Sequence, residues 1–270
     1  MGLARIMSAL DFAAMLRAEK RRARGGAAAK PAPEPKQQQS RPPPDAATAA
    51  LDPSKRRPPL QTLPGAPPTI AYAADWISEA EEAAIVAAAK RGDDWVTVRG
   101  RRLRRLGGPA GEAGFAPEPL PRWARDACAA AAASDPSSSR PAPNHILVNS
   151  YDFSKESYVL PHTDGPAYDD RTFTLSCGAD AVVVFKERLK TSEVGVRAAA
   201  TRCEVLLRRR SLLAFSREAY TECTHEIGAA PDTIGLCCVN LDAAKARVGD
   251  IVGRVGERVS FTLRCARGAE

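Results

Sequence analysis

After residue 144 the chain runs in short blocks whose apolar residues are β-branched or aromatic, separated by turn residues. Such blocks are His145-Ile146-Leu147-Val148-Asn149-Ser150-Tyr151, Thr172-Phe173-Thr174-Leu175-Ser176, Ser211-Leu212-Leu213-Ala214-Phe215 and residues 258–265, and each reads as a strand. Residues 181–185 are apolar throughout, which predicts a central strand. No long helical period interrupts this region, so it predicts a double-sheet jelly roll. Before residue 144 the pattern differs. Ile70-Ala71-Tyr72 reads as a short strand. Ser78 and Glu81 form a capping box for a helix that ends at Gly92. Residues 95–106 predict a hairpin or two short strands, residues 120–133 a second, Ala-rich helix, and residues 134–143 a linker. The expected class is mainly β with flanking helices (α+β).

Residues 1–68 hold 12 of the 22 prolines and are expected to be a disordered basic tail, because they bury too little apolar surface to offset ordering entropy. Within them Leu10, Phe12, Met15 and Leu16 precede Lys20-Arg21-Arg22-Ala23-Arg24. That stretch fits a solvated charge run, a nuclear-localisation patch, a nucleic-acid contact or a partner-binding helix. The folded part is expected over 69–270, with helices and a lid in 69–143 and the jelly-roll core in 144–270. Residues 229–255 carry no readable role.

Charge sharpens this division. The net charge of the 270 residues is +7, and residues 1–68 carry 12 Lys/Arg against 5 Asp/Glu, so the whole excess lies in the tail. The remainder holds 27 of each sign and is neutral. Its local exceptions are Arg99, Arg101, Arg102, Arg104 and Arg105 in the hairpin and Arg208-Arg209-Arg210 in a turn. The hairpin arginines fit either a solvated surface or a phosphate-contacting lid; the turn fits a solvated surface. Seven scattered cysteines show no paired metal spacing and read as reduced thiols. No apolar run is long enough for a spanning helix, and no secretory core opens the sequence. The expectation is a monomer of nucleus and cytoplasm with no membrane partner; an Ala/Arg-rich start leaves an organelle transit peptide open.

The chemistry centres on Leu160-Pro161-His162-Thr163-Asp164-Gly165-Pro166. Residues two apart on an extended strand share a side, so His162 and Asp164 can meet one ion. A third, distant ligand would complete a two-His, one-carboxylate triad with open coordination positions. The chain has three histidines, which makes His225 the expected third ligand and His145 its competitor. A second pattern is Arg258-Val259-Ser260-Phe261-Thr262-Leu263-Arg264. Its two arginines, an even spacing apart, face one side, and their planar forks suit the two ends of a dicarboxylate such as 2-oxoglutarate. The same pattern also fits a solvated strand face with Val259, Phe261 and Leu263 buried. Asn149 and Tyr151 share another strand face just upstream of His162 and can hydrogen-bond an oxyanion.

Asn-x-Tyr, then Pro-His-x-Asp-Gly-Pro, a distal His, and Arg-x-Ser-x-Thr-x-Arg together resemble the AlkB family of Fe(II)/2-oxoglutarate dioxygenases, over roughly the last three-quarters of the chain. The segment 144–151 with His162-Thr163-Asp164-Gly165-Pro166-Ala167-Tyr168 is most similar to the homologue 6 branch. The resemblance implies Fe(II) on His162, Asp164 and His225, with 2-oxoglutarate and O2 as cosubstrates. It implies Arg258 and Tyr151 at the distal carboxylate of 2-oxoglutarate, and Arg264 and Asn149 at the near one. It also implies a substrate lid, with Arg101, Arg102, Arg104, Arg105 and Tyr168 as substrate-contacting residues. The expected reaction is oxidative demethylation of an alkylated nucleic-acid base. The alternatives are the same chemistry on a protein or small molecule, or a non-enzymatic nucleic-acid or protein interaction module. Thr163 stands where family members often carry an acidic residue.

Overall fold

The structure, a computed structural model, describes residues 51, 52, 54–98, 100–111, 114–135, 139–154, 157–194, 198–229 and 232–267. Four helices are present among them: α1 (Glu79–Lys90), α2 (Arg122–Ala133), α3 (Arg217–Thr221) and α4 (Leu241–Ala244). The first strands are β1 (Gln61–Thr62), β2 (Ile70–Ala73), β3 (Val96–Val98), β4 (Arg101–Leu106), β5 (Ala110–Gly111) and β6 (Gly114–Phe115). Then come β7 (His145–Asp152), β8 (Val159–His162), β9 (Tyr168–Gly178), β10 (Ala181–Glu187), β11 (Thr201–Leu207) and β12 (Leu212–Ser216). The last are β13 (Cys223–Ile227), β14 (Asp232–Thr233), β15 (Ile251–Val252) and β16 (Glu257–Ala266). They form an eight-stranded major sheet in the order β1-β2-β12-β9-β16-β7-β4-β3 and a four-stranded minor sheet in the order β11-β10-β13-β8. Every strand pairing within these two sheets is antiparallel.

The alternation seen in the sequence assigns the two faces of the major sheet. On β16, Val259, Phe261 and Leu263 enter the core that also takes Ile85, Ala88 and Ala89 of α1 and Trp123, Ala124 and Ala127 of α2. Trp123 meets Phe261 edge-on with ring centroids 6.0 Å apart. Burying one such large apolar side chain stabilises the fold by about 1.5–3 kcal/mol. Helix α1 starts where its cap predicts: Ser78 Oγ accepts from Glu81 N, and Glu81 Oε2 accepts from Ser78 N. Between the sheets lies a second core of Tyr72, Val183, Phe185, Val205, Leu213 and Phe215 among others.

Three expectations change. Residues 51–68 belong to the fold where they are described, so the boundary at 68 is too late. Leu51 is fully buried in the helix-side core, Leu63 enters the inter-sheet core, and β1 pairs with β2. Arg57 lies over Trp76 at 4.9 Å and donates to Glu81 Oε1 at 2.9 Å. Composition hides this, because a few leucines and one arginine can anchor an otherwise proline-rich segment. The expectation of disorder for residues 1–50 lies outside the described residues.

The turn at 208–210 is not simply solvated. Arg208 pairs with Asp180 at 2.7 Å, Arg209 with Glu82 at 2.6 Å, and Arg210 with Glu79 at 3.3 Å. Buried Glu82 also accepts from Gly178 N at 2.7 Å, so the turn fastens α1 to the sheet. The segment 229–255, unreadable in sequence, covers the outer face of the minor sheet. Its Ile234, Cys238, Ala244 and Val252 pack on Val182 and Leu206. Asn240 bonds both Leu206 N and Leu206 O at 2.9 Å, satisfying backbone groups on β11. No helix among the described residues is long and apolar enough to cross a membrane.

Candidate active site

Strands β8 and β13 place His162 directly opposite His225, with ring centroids 4.2 Å apart. Strand β8 ends at His162, and Asp164 follows in the connection to β9. One ligand atom from each of the three lies within 4.8 Å of the others. His145 is not part of this group. It is fully buried on β7 against Tyr168, centroids 5.1 Å apart, and its ring nitrogens have no hydrogen-bond partner among the described residues. Burial, then Arg264 and Arg105, push its pKa down to about 2 and keep it neutral.

His162 Nδ1 lies 2.9 Å from Leu160 O, which places a proton on Nδ1 and leaves Nε2 open to an ion. Asp164 Oδ2 accepts from Thr172 Oγ1 at 2.7 Å, and Oδ1 accepts from Arg264 Nη1 at 2.8 Å. Burial opposes charge on Asp164, but the Arg264 guanidinium, with the hydrogen bond from Thr172, outweighs it and holds the carboxyl below its usual range. Burial pushes both imidazoles down, His162 further through its neighbour His225. Two neutral imidazoles and one carboxylate are the ligand forms a divalent cation requires. This donor set fits Fe(II) with positions left for other ligands.

The trio lines a cavity of about 370 Å³ between the two sheets. Leu147, Val159, Val183, Leu213, Phe215 and Ile227 supply apolar wall. Asn149, Tyr151, Arg258 and Arg264 face the same space, so the expected cosubstrate residues converge there. Arg258 is fully buried beneath Tyr151, its guanidinium carbon 5.1 Å from the ring centroid. Its Nη2 donates to Ser176 Oγ at 3.0 Å, while Nε and Nη1 have no partner among the described residues. Burial lowers its pKa. A buried guanidinium with open donors fits an incoming carboxylate.

The hairpin arginines divide. Strand β4 pairs with β7, so the hairpin extends the major sheet at its edge. Arg101 and Arg105 line the cavity, and Arg101 Nη1 donates to Asn149 Oδ1 at 3.2 Å. Arg102 instead lies over Trp95 at 4.9 Å, and Arg104 bonds Asp94 Oδ1 at 2.6 Å and Ala89 O at 2.8 Å. Strand alternation sends this pair to the other face, so of the four arginines expected at the substrate only Arg101 and Arg105 line the cavity. Arg99 lies outside the described residues. Tyr168 reaches the cavity, and Arg264 stacks on its ring at 3.9 Å. Sequence reasoning missed Thr172 and Ser176, although their even spacing on β9 places both on the cavity side.

No family model matches the chain. A curated relative from Danio rerio, "Probable RNA/DNA demethylase ALKBH6", is 32% identical over 205 residues, covering 74% of this chain and 86% of the relative. Among solved structures, "The structure of OsALKBH1" overlays with TM-score 0.48 at 17% identity, over 77% of this chain and 100% of that one. A Burkholderia pseudomallei oxidoreductase of the 2OG-Fe(II) oxygenase family overlays with TM-score 0.46 at 16% identity, over 74% and 86% of the two chains. With its His-Asp-His cluster and the Danio rerio relative at that identity and coverage, the chain belongs to the AlkB family of Fe(II)- and 2-oxoglutarate-dependent dioxygenases, in the homologue 6 branch.

Proposed function

We propose that this dioxygenase removes an N-alkyl group oxidatively from a nucleic-acid base. The observation that carries the reading is one cavity holding both the His162–Asp164–His225 cluster and Arg258, whose Nε and Nη1 have no partner among the described residues. His162, Asp164 and His225 would hold Fe(II). The bound metal, with 2-oxoglutarate and O2, supplies an oxidant able to hydroxylate a C–H bond. An N-methyl group hydroxylated in this way leaves as formaldehyde, while 2-oxoglutarate and O2 account for succinate and CO2.

The protein's own groups bind and orient. Arg258, steadied by Ser176, receives the distal carboxylate of 2-oxoglutarate, and Tyr151 covers that guanidinium. Asn149 and Arg264 stand beside the metal cluster for the near carboxylate. The apolar wall keeps bulk water from the reacting atoms. Arg105 and Arg101 put positive charge on the cavity wall where a substrate phosphate or base would enter, with Tyr168 as an aromatic surface. The name of the Danio rerio relative supports nucleic acid as substrate. A protein or small-molecule substrate is the second reading, favoured by the neutrality of residues 69–270 and the internal pairing of Arg208, Arg209 and Arg210.

The test is formaldehyde and succinate release by the full chain with Fe(II) and 2-oxoglutarate on methylated RNA, DNA and peptide. Formaldehyde should appear with a nucleic acid, and His225→Ala should abolish it. Release from peptide alone rejects the nucleic-acid reading. Succinate formation that survives His225→Ala rejects the metal assignment.

A further inference from the structure

We propose that Tyr220 is a positioning residue for the metal cluster, tying the chain segment that carries His225 to the turn that carries Asp164. This rests on the metal assignment above and extends it to a residue with no ligand atom of its own there.

The three ligands are not held alike. His162 and His225 sit opposite one another in the β8–β13 ladder, so backbone hydrogen bonding fixes their separation. Asp164 has no such support. It lies in the connection between the end of β8 at His162 and the start of β9 at Tyr168, next to Gly165 with φ 84°. Glycine adopts that left-handed conformation without strain, and it gives the connection little stiffness of its own. Thr172 and Arg264 fix the carboxylate, but they act on the side chain and not on the backbone behind it.

The backbone tie comes from across the fold. Tyr220 Oη donates to Gly165 O at 2.8 Å. Tyr220 belongs to α3, the one-and-a-half-turn helix between β12 and β13, and is buried. Its ring stacks on Phe215 with centroids 6.3 Å apart, and Phe215 stands 5.1 Å from the His225 ring. Phe215 is also the register partner of Thr172, which bonds Asp164. The segment from Phe215 to His225 thus supplies one ligand, the wall behind it, and the hydroxyl that anchors the turn of another. Helix α3 is entered at Arg217 with φ 46°, a left-handed conformation disfavoured for a side chain of that size, so the path that delivers Tyr220 is held by its surroundings.

The test uses Tyr220→Phe in the full chain, which removes one hydroxyl and keeps the ring. Titration with Mn(II) in the absence of 2-oxoglutarate reads the metal dissociation constant directly. A single neutral hydrogen bond corresponds to a rise of about five-fold. The KM for 2-oxoglutarate at saturating metal should stay within about two-fold, because Arg258 and Ser176 are untouched. The effect should change in a Thr172→Val background, where the same carboxylate is already loosened, and persist in an Arg258→Ala background. An equal loss of melting temperature in the metal-free and metal-bound forms makes the hydroxyl merely structural and overturns the proposal. Wild-type binding of Mn(II) with an unchanged constant in Tyr220→Phe sinks the tether alone. A wild-type chain that binds no Mn(II) sinks the metal assignment and the tether with it.

Discussion

Strand β16 serves two regions of different kinds. Toward the helices it presents Val259, Phe261 and Leu263, and the space there is filled by side chains from α1, α2, β7 and β9. Toward the minor sheet it presents Arg258, Ser260, Thr262 and Arg264 around an open cavity. The same ten-residue strand therefore contributes packing on one side and incompletely paired polar groups on the other. The helix side is closed apolar packing, whereas the cavity side keeps two buried cations, Arg264 paired with Asp164 and Arg258 bonded to Ser176. A stable fold can hold such costly groups because the opposite face of the same backbone is close-packed.

Substitutions on the two faces should separate accordingly. Phe261→Ala should give the largest effect, a loss of about 3–5 kcal/mol of unfolding free energy, since the residue is buried and sits against Trp123. Denaturant unfolding checks this, and the KM for 2-oxoglutarate of the remaining folded protein should hold. Arg258→Ala should do the reverse. The kcat/KM for 2-oxoglutarate should fall by about 100-fold, with Arg258→Lys recovering part, while unfolding free energy stays level or rises. If Arg258→Ala unfolds the protein as Phe261→Ala does, the two faces are not distinct.

The third effect is pH-dependent and confined to the cavity side. His145 is neutral in the fold with a pKa near 2, far below its value in an unfolded chain. The unfolded chain therefore binds the extra proton first, and stability falls as pH drops below about 6.5. Between pH 6.5 and 5 this one group costs about 2 kcal/mol. His162 and His225 act in the same direction in the metal-free protein. Asp164, whose pKa is lowered, loses its contribution only below about pH 4, outside this window. Metal-free His145→Gln should therefore show a shallower decline from pH 6.5 to 5 in denaturant unfolding. An unchanged slope would remove His145 from the account.

Much of the site was legible in the sequence because strand alternation is a strict rule. It set Arg258 and Arg264 on one face. Asp164, however, lies past the end of β8 and meets His162 from the connection to β9, so closeness in sequence rather than alternation joined that pair. A chain with three histidines left His145 and His225 to choose between. The choice itself was tertiary: His225 lies opposite His162, whereas His145 lies opposite Arg264. Alternation also explains the overreach in the hairpin. Applied to residues 101–105, it sends Arg101 and Arg105 one way and Arg102 and Arg104 the other. Groups that act across long sequence distances left no local mark. Tyr220 bonds Gly165, Arg209 bonds Glu82, and Asn240 bonds Leu206, each pair brought together only by the fold.

The placement of β16 has a consequence for how the molecule assembles. It lies between β7 and β9, with Phe261 opposite both Val148 and Leu175. The strands on either side come much earlier in the chain and do not pair with each other. Until β16 arrives, β7 and β9 each present an unpaired edge, and the face that receives α2 is missing its middle. Closure across so long a stretch is slow, because loop entropy must be overcome before the contacts form. The major sheet should therefore be the last part to acquire protection against hydrogen exchange during refolding. In that interval the two waiting edges are the surfaces through which one chain can capture another.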